Sequence, residues 1–87
     1  MARFKLTVKK SVAKDLRYIP KKDVFRILER MEALREEPRP EGCEKLTGQE
    51  RYRVRQGVYR IVYEILDGEL IVTVVKVGHR KKVYRSN

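Results

Sequence analysis

A single cysteine and a single histidine exclude much before any motif is read. Cys43 has no partner for an internal disulfide, and nothing beside it marks a nucleophile. It reads as an incidental or half-buried thiol. One Cys and one His fall short of the ligand set of a structural zinc site, so neither metal ion nor cofactor is expected. Long apolar runs are missing too. None approaches the roughly 20 residues that span a bilayer. The opening MARFKLTVKK lacks the apolar stretch of a signal peptide. The expected compartment is cytoplasmic, with no membrane partner.

Acidic residues are scarce where basic ones gather. The chain holds 22 Lys and Arg against 12 Asp and Glu, a net charge of +10. Residues 51 to 60 carry Arg51, Arg53, Arg55 and Arg60 and no acid. Residues 76 to 87 carry Lys76, Arg80, Lys81, Lys82 and Arg85, again with no acid. Between them, Glu64, Asp67 and Glu69 stand without a base. A solvated surface mixes the signs. Sorted positive charge points to a polyanionic partner: nucleic acid, an anionic membrane surface or an acidic protein. With 41% hydrophobic residues, the 87-residue chain has enough apolar material for one domain, residues 1–87, around a simple core.

Phe4, Leu6 and Val8 alternate with polar neighbours, which predicts a strand. Ser11 is the expected N-cap of a short helix carrying Val12, Leu16 and Ile19 inward. Residues 21 to 37 form the strongest helix, with Val24, Ile27, Leu28, Met31 and Leu34 at helical spacing. Pro38 and Pro40 stop it, and PRPEGCEKLTG is a loop. Three strands follow at 50–56, 59–66 and 69–77. The order is β-α-α-β-β-β, an α+β fold of two helices on an antiparallel sheet.

Hairpin turns place the arginines. A two-residue turn at Asp67-Gly68 pairs Leu66 with Glu69, Tyr63 with Val72, Ile61 with Val74 and Arg60 with Val75. A like turn at Gln56-Gly57 pairs Val54 with Tyr59 and sets Arg53 across from Arg60; a longer turn through Val58 would break that register. Side chains alternate between faces. One face then holds Tyr52, Val54, Tyr59, Ile61, Tyr63, Ile65, Leu70, Val72 and Val74 for the core. The other holds Arg51, Arg53, Arg55, Arg60 and Val62, bordered by Val75 and Val77. Like charges set opposite each other are destabilising, and a bound phosphate would supply the missing charge. The plainer reading is a solvated arginine face.

The tail His79-Arg80-Lys81-Lys82-Val83-Tyr84-Arg85 adds the parts for metal-free RNA cleavage. In that reaction a 2′-hydroxyl attacks the neighbouring phosphate. It needs a base, cations on the phosphate and an acid at the leaving 5′-oxygen. Arginine suits the phosphate but is no base. Histidine titrates near neutrality, and tyrosine can stack a base or donate a proton.

EKLTG (44 to 48), YRVRQGVYRIVYEI (52 to 65) and VVKVGHRKKVY (74 to 84) together resemble the RelE toxins of the RelE/ParE superfamily of toxin–antitoxin systems. The resemblance spans essentially the whole chain. It implies a metal-independent endoribonuclease that cuts mRNA in the A site of a 70S-type ribosome, leaving a cyclic phosphate and a 5′-hydroxyl. Its site residues fall on Arg53, Arg55, Arg60, Arg80 and Tyr84. His79 is a further acid/base candidate, and Lys45, Arg51, Lys81, Lys82 and Arg85 are candidate RNA contacts. The implied partner is an acidic, RelB-like antitoxin, through which the complex would bind operator DNA. Two features depart from the best-known members: arginines stand where those have lysines on the strand at 50–56, and the QGV connection is shorter. The base is therefore open among His79, Tyr84, a ribosomal group and simple activation by the phosphate clamp. Two other functions compete: a ParE-like inhibitor of DNA gyrase without RNase activity, and an RNA-binding module without chemistry.

Overall fold

The computed structural model describes residues 3–79. The tail positions Arg80, Lys81, Lys82, Tyr84 and Arg85 lie outside the described residues. Strand β1 (Lys5–Val8) leads into helices α1 (Lys10–Arg17) and α2 (Lys21–Ala33). Strands β2 (Glu44–Lys45), β3 (Tyr52–Gln56), β4 (Tyr59–Leu66) and β5 (Ile71–His79) follow. The α+β class stands as expected. The two-residue β2 is an addition, drawn from what reads as loop.

The sheet order is β1-β5-β4-β3-β2. Every pairing is antiparallel except β1 with β5, which is parallel. The expected all-antiparallel sheet is thus corrected to a mixed one. Alternation at residues 3 to 9 marks a strand but carries no direction. Parallel neighbours need a long connection, and both helices and three strands separate β1 from β5.

Helix α1 starts one residue before the expected cap. Lys9 is the N-cap and makes no side-chain cap bond, so Ser11 is already helical. The Lys9 amide donates instead to Val74 O at 3.0 Å, and the Lys9 carbonyl accepts from Val12 N at 3.0 Å. The chain turns from strand to helix with no residue to spare. Val12, Ile27 and Met31 from the helices, with Ile19 between them and Leu34 just after α2, pack on Val54, Ile61, Tyr63, Val72, Val74 and Val77 of the sheet. Leu28, expected inside, is half exposed. It lines a shallow groove with Ala13, Leu16 and Phe25 where the two helices meet solvent.

The β4–β5 connection departs most from expectation. Asp67–Glu69 form a 3-10 turn closed by Leu70 in the left-handed region at φ 53°. Leu66 therefore pairs with Ile71, not Glu69, and Leu70 is exposed and outside the core. Tyr63 pairs with Val74, and a β-bulge follows between Val62 and Tyr63. Val75 is the extra residue. Beyond it Val62 pairs with Lys76, Ile61 with Val77 and Arg60 with Gly78. The bulge resets the alternation, so Val74 and Val77 both join the core. Val77 does not border the open face. Val75 does, packing with Val62 under Leu46.

An arginine clasp fixes the loop after α2. Arg39 donates to both Asp67 carboxylate oxygens, at 3.0 and 2.8 Å, and lies 5.1 Å over the Tyr52 ring. Asp67 raises the Arg39 pKa, and Arg39 holds the Asp67 carboxyl below its ordinary value. Beside this clasp, the buried Tyr63 hydroxyl donates to Pro38 O at 2.6 Å.

Candidate active site

The β3–β4 turn falls on Gly57 and Val58, one residue later than expected, with Gln56 paired to Tyr59. Gly57 has φ +62°, the conformation that favours glycine at the first central position of a II′ hairpin. The shift changes which arginines meet. Arg55, not Arg53, stands directly across from Arg60, and Arg53 faces Val62. Val54 and Ile61 between them are fully buried against the helices. Strand alternation therefore puts Arg53, Arg55 and Arg60 on the open face.

Charge that is sorted along the chain is partly mixed in space. Arg51 Nε donates to Glu64 Oε2 at 3.0 Å, and Arg53 pairs with Glu44 of β2. The register sets Glu44 directly opposite Arg53. Two arginines thus already have carboxylates on neighbouring strands. Arg55 is exposed and has no ion-pair partner among the described residues. Arg60 is only 4% exposed, although it lies on the face away from the helices. It sits between Arg55 on β3 and Gly78 on β5, which brings no side chain. Burial holds the guanidinium in place, and a low local dielectric strengthens its pull on an anion that reaches it.

Two candidates are not brought to this pair. Lys45 pairs with Tyr52 in the ladder, on the other side of β2 from Glu44. It bonds Glu50 at 3.0 Å, which raises its pKa. His79 pairs with Tyr59, and its ring meets the Tyr59 ring edge-on at 6.2 Å. Tyr59 packs on the helix-side core, so His79 stands on the opposite face from Arg60. There Asp15 of α1 accepts a hydrogen bond from the Val77 amide at 3.2 Å. Asp15, Tyr18, Ile19, Tyr59, Lys76 and His79 surround a cleft of about 350 Å³.

Glu44, Glu64 and Gly78 shape the arginine face and escaped sequence reasoning. Glu64 shares the parity of Arg60 and Val62, so alternation alone could have found it. Glu44 carried no signal, because its two-residue strand has no period. Gly78 lies inside the ladder, one residue beyond the strand expected at 69–77.

Residues 3–84 match the sequence model of a family described as ParE toxin of type II toxin–antitoxin system, parDE. A relative from Methanocaldococcus jannaschii that carries the name RelE1 is 30% identical over 88 residues, 97% of this chain and 98% of that protein. RelE in the archaeal RelE–RelB complex from Pyrococcus horikoshii superposes with a TM-score of 0.80 at 30% identity, covering 92% of this chain and 97% of that one. A double-arginine mutant of Escherichia coli RelE in the free state gives a TM-score of 0.75 at 29% identity, covering 98% and 93%.

Proposed function

We propose that this chain, which belongs to the RelE/ParE superfamily of type II toxin–antitoxin toxins as a RelE-type member, is a ribosome-dependent endoribonuclease that cuts mRNA in the A site. The observation that carries the reading is Arg55 set directly across from the buried Arg60. A phosphate held between the two cations would offset their mutual repulsion. Each planar guanidinium can offer two parallel donors to phosphate oxygens. Such donors gain strength as charge develops on the phosphorane.

In the proposed reaction the 2′-oxygen bonds to phosphorus and the bond from phosphorus to the 5′-oxygen breaks. The products are a 2′,3′-cyclic phosphate and a 5′-hydroxyl. One proton leaves the 2′-hydroxyl and one reaches the 5′-oxygen. Arg55 and Arg60 would hold the phosphate, with Arg53, Arg80 and Tyr84 completing the site as the resemblance implies. His79 stands on the other face, so proton transfer would fall to Tyr84 or a ribosomal group. An open sheet face encloses little substrate, which fits a reaction that borrows its walls from the ribosome. The partner in the cell would be an acidic, RelB-like antitoxin; several similar folds are RelE chains solved with RelB.

The matching family model is described as ParE, and this favours a second reading: inhibition of DNA gyrase without RNA cleavage. A translation extract containing ribosomes separates the two. The nuclease reading expects cut transcripts, and a loss of about a hundredfold in Arg55→Gln and Arg60→Gln proteins whose circular dichroism is unchanged. Intact transcripts together with accumulated DNA breaks would establish the gyrase reading instead.

A further inference from the structure

The bulge in β5 decides where Lys76 points. In strict alternation from the buried Val74, the Lys76 side chain would face the helices. The bulge reverses that. Val75 and Lys76 together oppose the single residue Val62, as the two residues of a bulge do, and bulges re-aim side chains in this way. Val74 and Val77, on either side of the two, both lie in the helix-side core. Val75 packs with Val62 on the open face. Lys76 is the ladder partner of Val62, so its side chain leaves on that face too. Its strand edges the helix-side cleft, but its side chain goes the other way.

That position is next to the arginine pair. Arg60 pairs with Gly78, so Lys76, two residues along β5, is the diagonal neighbour of Arg60. Diagonal neighbours are roughly 7–8 Å apart, within reach of long side chains. Gly78 puts no side chain into the space between them. Arg60 is thus flanked by Arg55 from β3 and by Lys76 from β5. Lys76 is half-buried and has no ion pair among the described residues. The carboxylates on its face are engaged elsewhere: Glu64 bonds Arg51, and Glu44 pairs with Arg53.

We propose that Lys76 is a third cation of the phosphate site, whose ammonium reaches past Gly78 and holds the anion from the β5 side while Arg55 and Arg60 hold it from β3 and β4. The proposal rests on the reading of Arg55 and Arg60 as a phosphate clamp. The three groups divide the work. The planar guanidiniums fix the orientation of the phosphate through paired donors. The ammonium is a compact point charge on a flexible stem, and it adds attraction without imposing a direction. Lys76 is therefore a binding residue of the site, supplied by the sheet itself.

Titration of inorganic phosphate into the full chain tests this, with Lys76 Nζ and Arg55 Nε followed by NMR. Both signals should move with one midpoint. Lys76→Gln should weaken phosphate binding by about tenfold, and Lys76→Arg should recover most of that loss. A single-stranded RNA trinucleotide then separates RNA from free phosphate. Its slope of log affinity against log salt should be shallower by about 0.7 in Lys76→Gln, the loss of one phosphate contact. Separate midpoints in wild type would overturn the proposal without any variant. If Arg55→Gln weakens phosphate binding and Lys76→Gln does not, Lys76 is struck out and the clamp stands. Phosphate binding indifferent to both substitutions would remove the clamp and Lys76 with it. An unchanged RNA slope would overturn Lys76 as a contact to RNA.

Discussion

Replacing Arg55 with glutamine should make the protein more stable while lowering its cleavage about a hundredfold. Glutamine keeps most of the stem and removes the charge. Like charges directly opposite across a strand pair cost about 0.2–1 kcal/mol. The middle of that range, about 0.5 kcal/mol, raises the melting temperature of a domain this size by about 2–4 °C. The gain should be largest at low ionic strength. It should shrink as the Debye length falls from about 10 Å at 0.1 M salt to about 3 Å at 1 M, but not vanish, because Arg60 is buried. Inorganic phosphate supplies the opposite control. At ten times its dissociation constant a bound anion stabilises by about 1.4 kcal/mol, so wild type should overtake Arg55→Gln as phosphate is added. Differential scanning fluorimetry across salt and phosphate series reads both effects. An Arg55→Gln protein that melts below wild type at low salt, or gains equally from phosphate, would refute the idea that Arg55 and Arg60 repel each other and share an anion.

Other substitutions probe the frame that holds the site. Tyr63→Phe should cost about 1–3 kcal/mol in denaturant melts, because the buried Pro38 carbonyl loses its donor. Burial pushes the Tyr63 hydroxyl above its ordinary pKa of 10.0, so its contribution is intact below that value. It is lost as pH rises toward the folded one; wild type and Tyr63→Phe should converge in alkali. Asp67→Asn should lower stability near neutrality. Since Arg39 holds the Asp67 carboxyl below its ordinary 3.8, that deficit persists above this value and closes as pH falls through the lowered one, as melting temperatures in acid buffers would reveal. Leu70→Gly should stabilise by about 1 kcal/mol, because a left-handed backbone costs a branched residue about that much; a lower melting temperature would mean that the side chain matters more than the strain.

Much of the frame was legible because alternation and helical spacing are local. Strand β4 lies where its β-branched and aromatic residues put it, at 59–66. The helix-side positions Tyr52, Val54, Ile61, Tyr63, Val72 and Val74 followed from parity alone. What was not legible depends on partners distant in sequence. The parallel seat of β1 beside β5 leaves no mark on either strand. The bulge at Val75 cannot be seen in a run of valines, yet it moves Val77 into the core and Gly78 beside Arg60. The arginine face was read from parity, but the pair within it was misjudged by one turn residue. Its apparent freedom from acid was an effect of reading charge along the chain: Glu44 and Glu64 arrive from adjacent strands.

Strand β5 is two strands spliced end to end. Residues Ile71 to Val74 are flanked on both sides, by β1 and by β4. After the splice at Val75 the strand has β4 as its one strand neighbour among the described residues, and on the other side the Val77 amide is held by Asp15 of α1. The first half is locked; the second can breathe. Its amides should trade hydrogen for deuterium well before those of Ile71 to Val74. That second half carries Gly78 and His79 and delivers the chain to Arg80. The chain thus enters residue 80 from the half of β5 that has a single strand neighbour among the described residues.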